Sequence, residues 1–288
     1  MPIRTILAPI DGTEAAKPVL DAAFTVGRDL MAHIDVLHVR ADSKNAVPLL
    51  GEGMSGAMIE EMIDLAEKEA SGRAKSARSM FESLSERHAV PVAESAPGPD
   101  GASVAWIEET GREDEVTAQR GRLADLIVIA RPTPDMDVTS RMTLNAAIRE
   151  TGRPVLVVPP EPPRSLGRKV AVAWNGSAEA ARAVRLAMDV ISRAEEVAVL
   201  TVEGERTSSA RATEFAAYLA WHGITAQIRT LEFAERFAGE KLLKACGDMG
   251  ADLLVMGAYT QSRVRQLILG GVTRHVLEVA ELPVVMAR

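Results

Sequence analysis

The chain has 288 residues, 47% of them hydrophobic, with a formal net charge of -7 and a single cysteine. This length predicts two domains of ordinary size, and no apolar run approaches the roughly 18 residues of a membrane span. The acidic balance, without Lys/Arg clusters among aromatic residues, argues against nucleic acid as a partner. The unpaired Cys246 and the absence of a secretion leader before the first strand predict a cytoplasmic protein.

In chain order, the first half predicts strands alternating with helices. Apolar runs and helical periodicity place a strand at 3–10, a helix at about 14–31, a strand at 34–39, long helical patterning over 54–88, a strand at 102–108, a helix at about 113–122, and strands at 125–130 and 154–158. Prolines between residues 159 and 163 then indicate a stiff, extended linker.

The second half repeats this course more compactly, with helices between strands near 169–174, 196–202, 224–230, 252–257 and 283–287. Strands that alternate with helices are typical of parallel βαβ units covered on both faces. We therefore predict an α/β protein of two doubly wound, five-stranded parallel-sheet domains, Rossmann-like with strand order 3-2-1-4-5. Their predicted boundaries are 1–160 and 165–288.

Local sequence also repeats between the halves. Residues 124–130 (ADLIVIA) return as 251–257 (ADLLVMG), 127 positions later. The turn Asp11-Gly12-Thr13 has its counterpart in Asn175-Gly176-Ser177, and the closing PVLVV at 154–158 returns as PVVM at 283–286. A repeat of this size indicates duplicated domains rather than a solenoid. The first copy is longer because of the 54–88 segment and the loop after it.

The glycines after the fourth strand of the second half are the main candidates for chemistry. In open parallel sheets ligands bind beyond the carboxyl ends of the strands. Here Met256-Gly257-Ala258-Tyr259-Thr260 leaves the strand, and Gly270-Gly271-Val272-Thr273 opens the last helix. Glycines let a backbone approach an anion, and a helix start favours phosphate. A plain strand exit at Gly257 and a tight turn at Gly270-Gly271 remain the structural alternative.

At these residues the chain resembles the universal stress proteins in their tandem form. The marks are Ala8-Pro9-Ile10-Asp11-Gly12-Thr13, Leu37-His38-Val39, the two Ala-Asp-Leu strand entries and the closing Pro-Val strands. Nucleotide-binding members carry Gly-x-x-Gly, nine residues, then Gly followed by Ser or Thr. In this chain Gly257 and Gly270 fit, whereas Thr260 replaces the second glycine and Gly271 the Ser/Thr, with Thr273 two residues further on.

The resemblance implies an adenine nucleotide in the second half, with ATP, alone or with Mg²⁺, as the expected ligand. Asn175 would lie near the ribose, where the family has an acidic residue, and Val202 and Met256 near the base. Gly257, Thr260, Gly270, Gly271 and Thr273 would surround the phosphates. Asp11 and Asn175 could instead only cap the helices that follow them.

The first half keeps Asp11 but lacks the glycine pattern. Ala130-Arg131-Pro132-Thr133 follows its fourth strand, and Thr143-Leu144 stands where Gly-Ser is expected. Proline also removes an amide that could meet phosphate. We therefore predict that this half binds no nucleotide.

Three side chains have structural interpretations. We expect His38 to be a satisfied structural residue, Trp174 to pack in the core rather than line an adenine pocket, and Cys246 to be inert.

The resemblance favours a stress-related regulatory protein that binds a nucleotide and is not an enzyme. The alternatives are a nucleotide-free interaction scaffold with vestigial sites and a slow ATP hydrolase, for which no base can be identified. Fifth strands of this family commonly pair edge to edge. Pairing of 154–158 with 283–287 within one chain would give a pseudo-dimer that could dimerise again.

Overall fold

The computed structural model describes residues 2–42, 55–96, 100–133, 138–161, 165–202, 209–232, 238–259 and 271–288. All ten of its named strands form a single sheet, in the order β3-β2-β1-β4-β5-β10-β9-β6-β7-β8. Each half contributes five neighbouring parallel strands, and each has the order 3-2-1-4-5 counted within itself. This is the predicted doubly wound, Rossmann-like fold, present twice.

The elements of the first half follow the predicted order. They are β1 (Thr5–Pro9), α1 (Ala16–Leu30), β2 (His33–Arg40), α2 (Gly56–His88), β3 (Ser103–Thr110), α3 (Glu113–Gly121), β4 (Leu126–Ala130), α4 (Val138–Glu150) and β5 (Val155–Val158). The bounds differ from the sequence-based ones by at most two residues; α1, for example, begins two residues late because Glu14 and Ala15 form a turn.

The second half has the same order of strands, with a short extra helix after its first long one. Its elements are β6 (Lys169–Ala173), α5 (Ala178–Leu186), α6 (Met188–Ile191), β7 (Glu196–Val202), α7 (Ser209–Trp221), β8 (Ala226–Leu231), α8 (Ala238–Asp248), β9 (Leu253–Gly257), α9 (Gly271–Val279) and β10 (Val284–Ala287).

Helices cover both faces of the sheet. Along β1, Ile6 and Ala8 join the core beneath α1, α2, α5 and α7, whereas Leu7 joins the core beneath α3, α4, α8 and α9. Successive strand side chains point to opposite faces, so a strand buried on both sides needs the continuous apolar run that β1 shows. Both core layers run through the two halves without a break.

The two fifth strands join the halves. β5 and β10 pair antiparallel, with Val157 opposite Val284 and Val155 opposite Met286. The expected edge-to-edge pairing within the chain is therefore present. Because it places both fifth strands in the sheet interior, neither fifth strand is left as an unpaired edge.

The repeated Ala-Asp-Leu sequence has a structural role. Asp125 Oδ2 accepts hydrogen bonds from the backbone N–H groups of Arg4 and Thr5, at 2.9 and 3.1 Å. Asp252 accepts equivalent bonds from the N–H groups of Arg168 and Lys169, at 3.2 and 2.9 Å. Each aspartate ties the start of a fourth strand to the start of a first strand. These bonds lie at the amino ends of the strands, opposite the candidate site. The Ala-Asp-Leu sequence therefore has a structural role in both halves.

Candidate functional site

The carboxyl ends of the second-half strands bring most of the predicted site residues to one edge of the sheet. Asn175 follows β6, Val202 ends β7, and Met256 and Gly257 end β9. β6 is hydrogen-bonded to both β7 and β9, so these residues lie at the crossover point of this half. α9 begins at Gly271 and carries Thr273 in its first turn. The predicted residues Thr260 and Gly270 lie outside the described part of the chain.

Asn175 forms a tight turn rather than the helix cap itself. Its Oδ1 accepts the N–H of Ser177 at 3.0 Å, and Ser177 Oγ in turn accepts the N–H of Ala180 at 3.1 Å, capping α5. In the first half Asp11 Oδ1 makes the same bond to the N–H of Thr13, at 2.9 Å. The turn therefore uses one side-chain atom in each half and leaves the other, Asn175 Nδ2 or Asp11 Oδ2, for a ligand.

Gly257 is required by packing. A Cβ at this position would lie 2.6 Å from the backbone nitrogen of Ala180 and 2.7 Å from the carbonyl carbon of Glu179. Real Cβ contacts are not this short, so the exit of β9 can lie against the first turn of α5 only without a side chain. Packing alone therefore accounts for a glycine at the end of β9. The same close approach sets the end of β9 beside the first turn of α5.

Gly271 is not required by packing. Among the residues that the structure describes, a Cβ there would meet no heavy atom within 4 Å, so Gly271 itself has open space beside it. Thr273, one turn into the helix, is 7% exposed. A helix start has N–H groups without intrahelical partners and a positive dipole end, which together favour an anion. The region around Gly271 can therefore accept a phosphate without displacing protein atoms that the structure describes.

Trp174 packs in the core, as predicted, but its polar atom is unsatisfied. The indole stacks on Phe215, with ring centroids 3.9 Å apart and planes 5° from parallel. Trp174 Nε1 and Thr201 Oγ1 are both enclosed with no hydrogen-bond partner among the described residues. Trp174 precedes Asn175, and Thr201 precedes Val202 at the end of the neighbouring strand. The sequence analysis did not identify Thr201, whose hydroxyl group lies one residue before the carboxyl end of β7.

Tyr259, just after β9, is held by the first half. Its hydroxyl donates to Asn145 Oδ1 at 3.0 Å, and the guanidinium of Arg149 lies 4.2 Å from its ring centroid. Both partners belong to α4. Tyr259 has a backbone φ of 49°, a conformation that non-glycine residues rarely adopt without support. We call this contact the α4 clasp; sequence spacing could not reveal it, because its partners are more than a hundred residues apart.

Arg131 makes the reciprocal contact from the first half. It follows β4 and donates to the backbone carbonyl of Glu278 near the end of α9. Desolvation lowers the pKa of this guanidinium, against the opposing charge of Glu281. A cation near the end of α9 satisfies a helix carbonyl that has no intrahelical partner. Arg131 follows the fourth strand of the first half, where the family pattern has a glycine. Its side chain therefore contacts the second half.

The first half has a cavity at its own carboxyl edge, of about 390 Å³. Asp11 after β1, the end of β2, the start of α3 and the first turns of α4 line it, and α2 covers it with residues that include Ala66 and Arg73. α2 has no buried residue before Ala70. Its first turns therefore extend beyond the core, and the turns from Ala66 to Arg73 line this cavity.

His38 lies in the wall of this cavity and is only partly satisfied. Its Nδ1 bonds the carbonyl oxygen of Ile10 at 2.9 Å, which requires a proton on Nδ1. Nε2 is enclosed and has no hydrogen-bond partner in the described part of the chain. The prediction of a satisfied structural histidine is thus wrong for one ring nitrogen. Its position between the apolar residues Leu37 and Val39 was the available signal.

Cys246 is buried on α8, and burial raises the pKa of its thiol to about 12. It is therefore a poor nucleophile, as predicted.

Among the described residues no group of three or more His, Cys, Asp or Glu side chains is arranged to hold a metal ion. Within the same ranges, no helix is long and apolar enough to cross a membrane.

The two halves define a tandem α/β protein in which each half has a Rossmann-like fold. The model of the universal stress protein family matches residues 2–159 and again 167–288. The chain belongs to the universal stress protein family, in its tandem form.

Solved structures agree with this fold. A universal stress protein from Archaeoglobus fulgidus DSM 4304 is 17% identical, with a TM-score of 0.69 and coverage of 99% of this chain and 98% of that one. A putative universal stress protein from Pseudomonas aeruginosa UCBPP-PA14 is 16% identical, with a TM-score of 0.54 and coverage of 99% and 93%. No curated protein matches the chain.

Proposed function

We propose that the second half binds an adenine nucleotide, with ATP as the preferred ligand, and that the protein acts as a stress-related regulator rather than as an enzyme. In this proposal Asn175 contacts the ribose, and Val202 and Met256 lie against the base. The loop between Gly257 and Thr273, including Thr260, Gly270 and Gly271, surrounds the phosphates. Mg²⁺ would arrive with the phosphates, since these supply its preferred oxygen ligands.

The observation that carries the proposal is the convergence of these residues at one crossover point. Asn175 follows β6, Gly257 ends the neighbouring strand β9, and Gly271 begins a helix at a position where a Cβ would meet no described heavy atom within 4 Å. Family membership supports the same assignment, because nucleotide-binding universal stress proteins use this loop. The predicted domain boundaries, 1–160 and 165–288, belong to this proposal as well.

A nucleotide-free scaffold is the competing function. The departures from the family pattern at Thr260, Gly271 and Asn175 favour it, because each removes a group that the nucleotide would contact. Release of nucleotide from the purified protein separates the two. We expect denatured full-length protein to release adenine nucleotide that ion-exchange chromatography resolves, and calorimetric titration of emptied protein with ATP to show at most one site per chain. Protein that carries no nucleotide and gives no ATP binding would favour the scaffold.

A further inference from the structure

We propose that the outer edge of β3 is a docking site for an extended basic peptide, which pairs with β3 as a further strand of the sheet. β3 is one end of the ten-stranded sheet. A groove of about 950 Å³ lies beside it, bounded by the end of α2, residues 89–96 and the starts of β1 and β2. We call it the β3 groove. It shares no lining residue with the cavity at the carboxyl edge, and it does not depend on nucleotide binding by the second half.

The backbone of β3 has hydrogen-bonding groups on its outer side that no described strand uses. The N–H groups of Ser103 and Gly111 donate to carbonyls on the β2 side, at 3.4 and 3.0 Å, so the odd-numbered residues of β3 face β2. The even-numbered residues therefore present their N–H and C=O groups outward. At Trp106 and Glu108 these groups have no backbone partner among the described residues.

The chain itself shows that this edge accepts a further strand. Val92 forms a parallel bridge with Val104. The N–H of Val104 donates to the carbonyl of Pro91, and the N–H of Ala93 donates to the carbonyl of Val104, both at 2.9 Å. This pairing involves one residue of β3, whereas β3 continues beyond it. A peptide can extend the same ladder along the rest of the strand.

The groove opens on both faces of the sheet, as an added strand requires. Trp106 and Phe81 line it on the α2 face, with ring centroids 5.4 Å apart. Ala105 and Ile107 line it on the opposite face, beside Asp35 of β2. Successive side chains of a strand point to opposite faces. A peptide strand would therefore place alternate side chains in two separate parts of the groove, whereas a compact small molecule would fill only one.

The charges of the groove favour a basic peptide. Glu86 and Glu94 line it, and Glu108 follows on the exposed edge of β3. None of these three carboxylates has a cationic partner among the described residues, because the lining arginines Arg78 and Arg120 each pair with another glutamate. Lysine or arginine side chains of a peptide would supply the missing charge.

The aromatic part of the groove already accommodates a cation. The guanidinium of Arg78 lies 5.4 Å from the ring centroids of both Phe81 and Trp106. Trp106 is only half-buried, so part of its side chain faces the groove. Aromatic rings attract cations and pack against the aliphatic stems of lysine and arginine. The α2 face therefore suits the basic side chains of the peptide.

A second copy of this chain fits the same edge poorly. Pairing of β3 with itself would bring the acidic groove of one copy against that of the other. Like charges on paired strands destabilise the pairing, and charged side chains protect edge strands from self-association. The groove thus disfavours self-pairing and favours a partner of opposite charge.

The test uses full-length protein and a fluorescent peptide of alternating lysine and valine, Lys-Val-Lys-Val-Lys-Val-Lys. The matched control peptide has glutamate in place of every lysine. We expect fluorescence anisotropy to show binding of the lysine peptide and none of the glutamate peptide. Added salt should weaken the binding, because it screens exposed charges.

Two substitutions of Glu108 separate charge from backbone pairing. Glu108→Gln removes the charge and keeps the N–H, whereas Glu108→Pro removes both. Proline is tolerated on an edge strand where the N–H faces outward. We expect Glu108→Gln to weaken peptide binding about threefold and Glu108→Pro about tenfold. Glu161→Gln removes one exposed charge far from β3 and is the control. Circular dichroism checks that all three variants are folded.

Amide exchange measured by NMR reports the pairing directly. Saturating lysine peptide should slow exchange of the outward N–H groups of Trp106 and Glu108, because they would donate to the peptide. The N–H groups of Ala105 and Ile107 face β2 and should change little.

Four results would overturn the inference: no binding of the lysine peptide; equal binding of the two peptides; binding that Glu108→Pro leaves unchanged; or binding that leaves exchange at Trp106 and Glu108 unchanged. Slow exchange at these two amides without peptide, together with a dimer in sedimentation, would assign the edge to a second copy instead. Absence of ATP binding would bear only on the proposed function of the second half.

Discussion

The two halves keep one scaffold and differ at the edge where a ligand would bind. The scaffold residues are equivalent: Asp125 and Asp252 make the same strand-to-strand bonds, and β5 pairs with β10. At the carboxyl edge the first half has Asp11 and no glycine after β4, whereas the second has Asn175 and Gly257. Duplication thus preserved the groups that fold each copy and allowed the ligand groups to diverge.

The helix that follows the second strand shows the same divergence. α2 has 33 residues, and its turns from Ala66 to Arg73 line the first-half cavity. Its counterpart α7 has 13 residues. β8, the outer strand of the second half, is largely exposed, with Ile228 at 39%. The longer helix of the first copy both lines a cavity, through residues such as Ala66, and joins the core, through residues such as Phe81.

The largest effect we expect concerns Cys246, which exists only in the second half. At pH 8 its thiolate fraction should be about a thousandfold below that of an exposed thiol, because burial raises its pKa from 9.0 to about 12. Labelling of native protein by a thiol reagent should be correspondingly slow. Saturating ATP should slow it further. Rapid labelling of folded protein would contradict the burial of Cys246.

The same thiol links stability to pH. Its folded pKa lies above its unfolded value, so the unfolded state loses its proton first as pH rises. The contribution of Cys246 to the free energy of unfolding is complete below pH 9 and declines as pH rises from about 9 to about 12. Cys246→Ala should make this decline smaller, as measured by urea unfolding at several pH values.

Gly257→Ala should destabilise the protein by about 2 kcal/mol, because the new Cβ would overlap the first turn of α5. The first half has Ala130 at the equivalent position. The change therefore tests whether only the second half requires a glycine where its fourth strand ends. Gly271→Ala is the control, since its Cβ meets no heavy atom of the described residues within 4 Å. Thermal unfolding measures both. An unchanged Tm for Gly257→Ala would show that β9 and α5 can separate at little cost.

Gly271 allows the phosphate site to be tested without a folding defect. We expect Gly271→Val to weaken ATP binding about tenfold, because the side chain fills space that the phosphate needs. Gly271→Ser restores the hydroxyl of the family pattern and should strengthen binding a few-fold. Calorimetry with ATP measures both. Equal affinities in all three proteins would place the start of α9 outside the site.

The α4 clasp predicts that a first-half residue affects the second-half site. Tyr259→Phe and Asn145→Ala each remove the hydrogen bond between α4 and Tyr259. A bond of this kind contributes about 1 kcal/mol, or roughly fivefold in affinity if it positions the ATP loop. The double variant should show no further loss, since both changes break one interaction. Additive losses would mean that the two residues act separately.

The sequence predicted the scaffold well and the sites only in part. Strands and helices follow from local apolar periodicity, which the structure reproduces within a few residues. The α4 clasp, the Arg131 contact with α9 and the cover that α2 gives the first-half cavity join residues far apart in sequence. The sequence also does not show that Gly257 is required by packing, because a glycine motif looks the same whether a ligand or a helix approaches it.

The smallest effect is expected at Asn175. The turn uses Asn175 Oδ1 alone, just as it uses Asp11 Oδ1 in the first half. Asn175→Asp should therefore keep the turn and change only the free atom, from the donor Nδ2 to a charged acceptor. A charged acceptor forms a hydrogen bond about twice as strong as a neutral one. If the ribose lies there, ATP affinity should rise a few-fold.

Repulsion between the new carboxylate and the phosphates opposes this gain. It is screened over about 8 Å at physiological salt, and the ribose separates the two groups. AMP resolves the balance, because it has the same ribose and fewer charges than ATP. Equal gains for AMP and ATP would mean that the hydrogen bond dominates, and a gain for AMP alone would mean that repulsion decides. No change for either ligand would mean that Asn175 only forms the turn. The two halves would then differ in ligand recognition at residues other than Asp11 and Asn175.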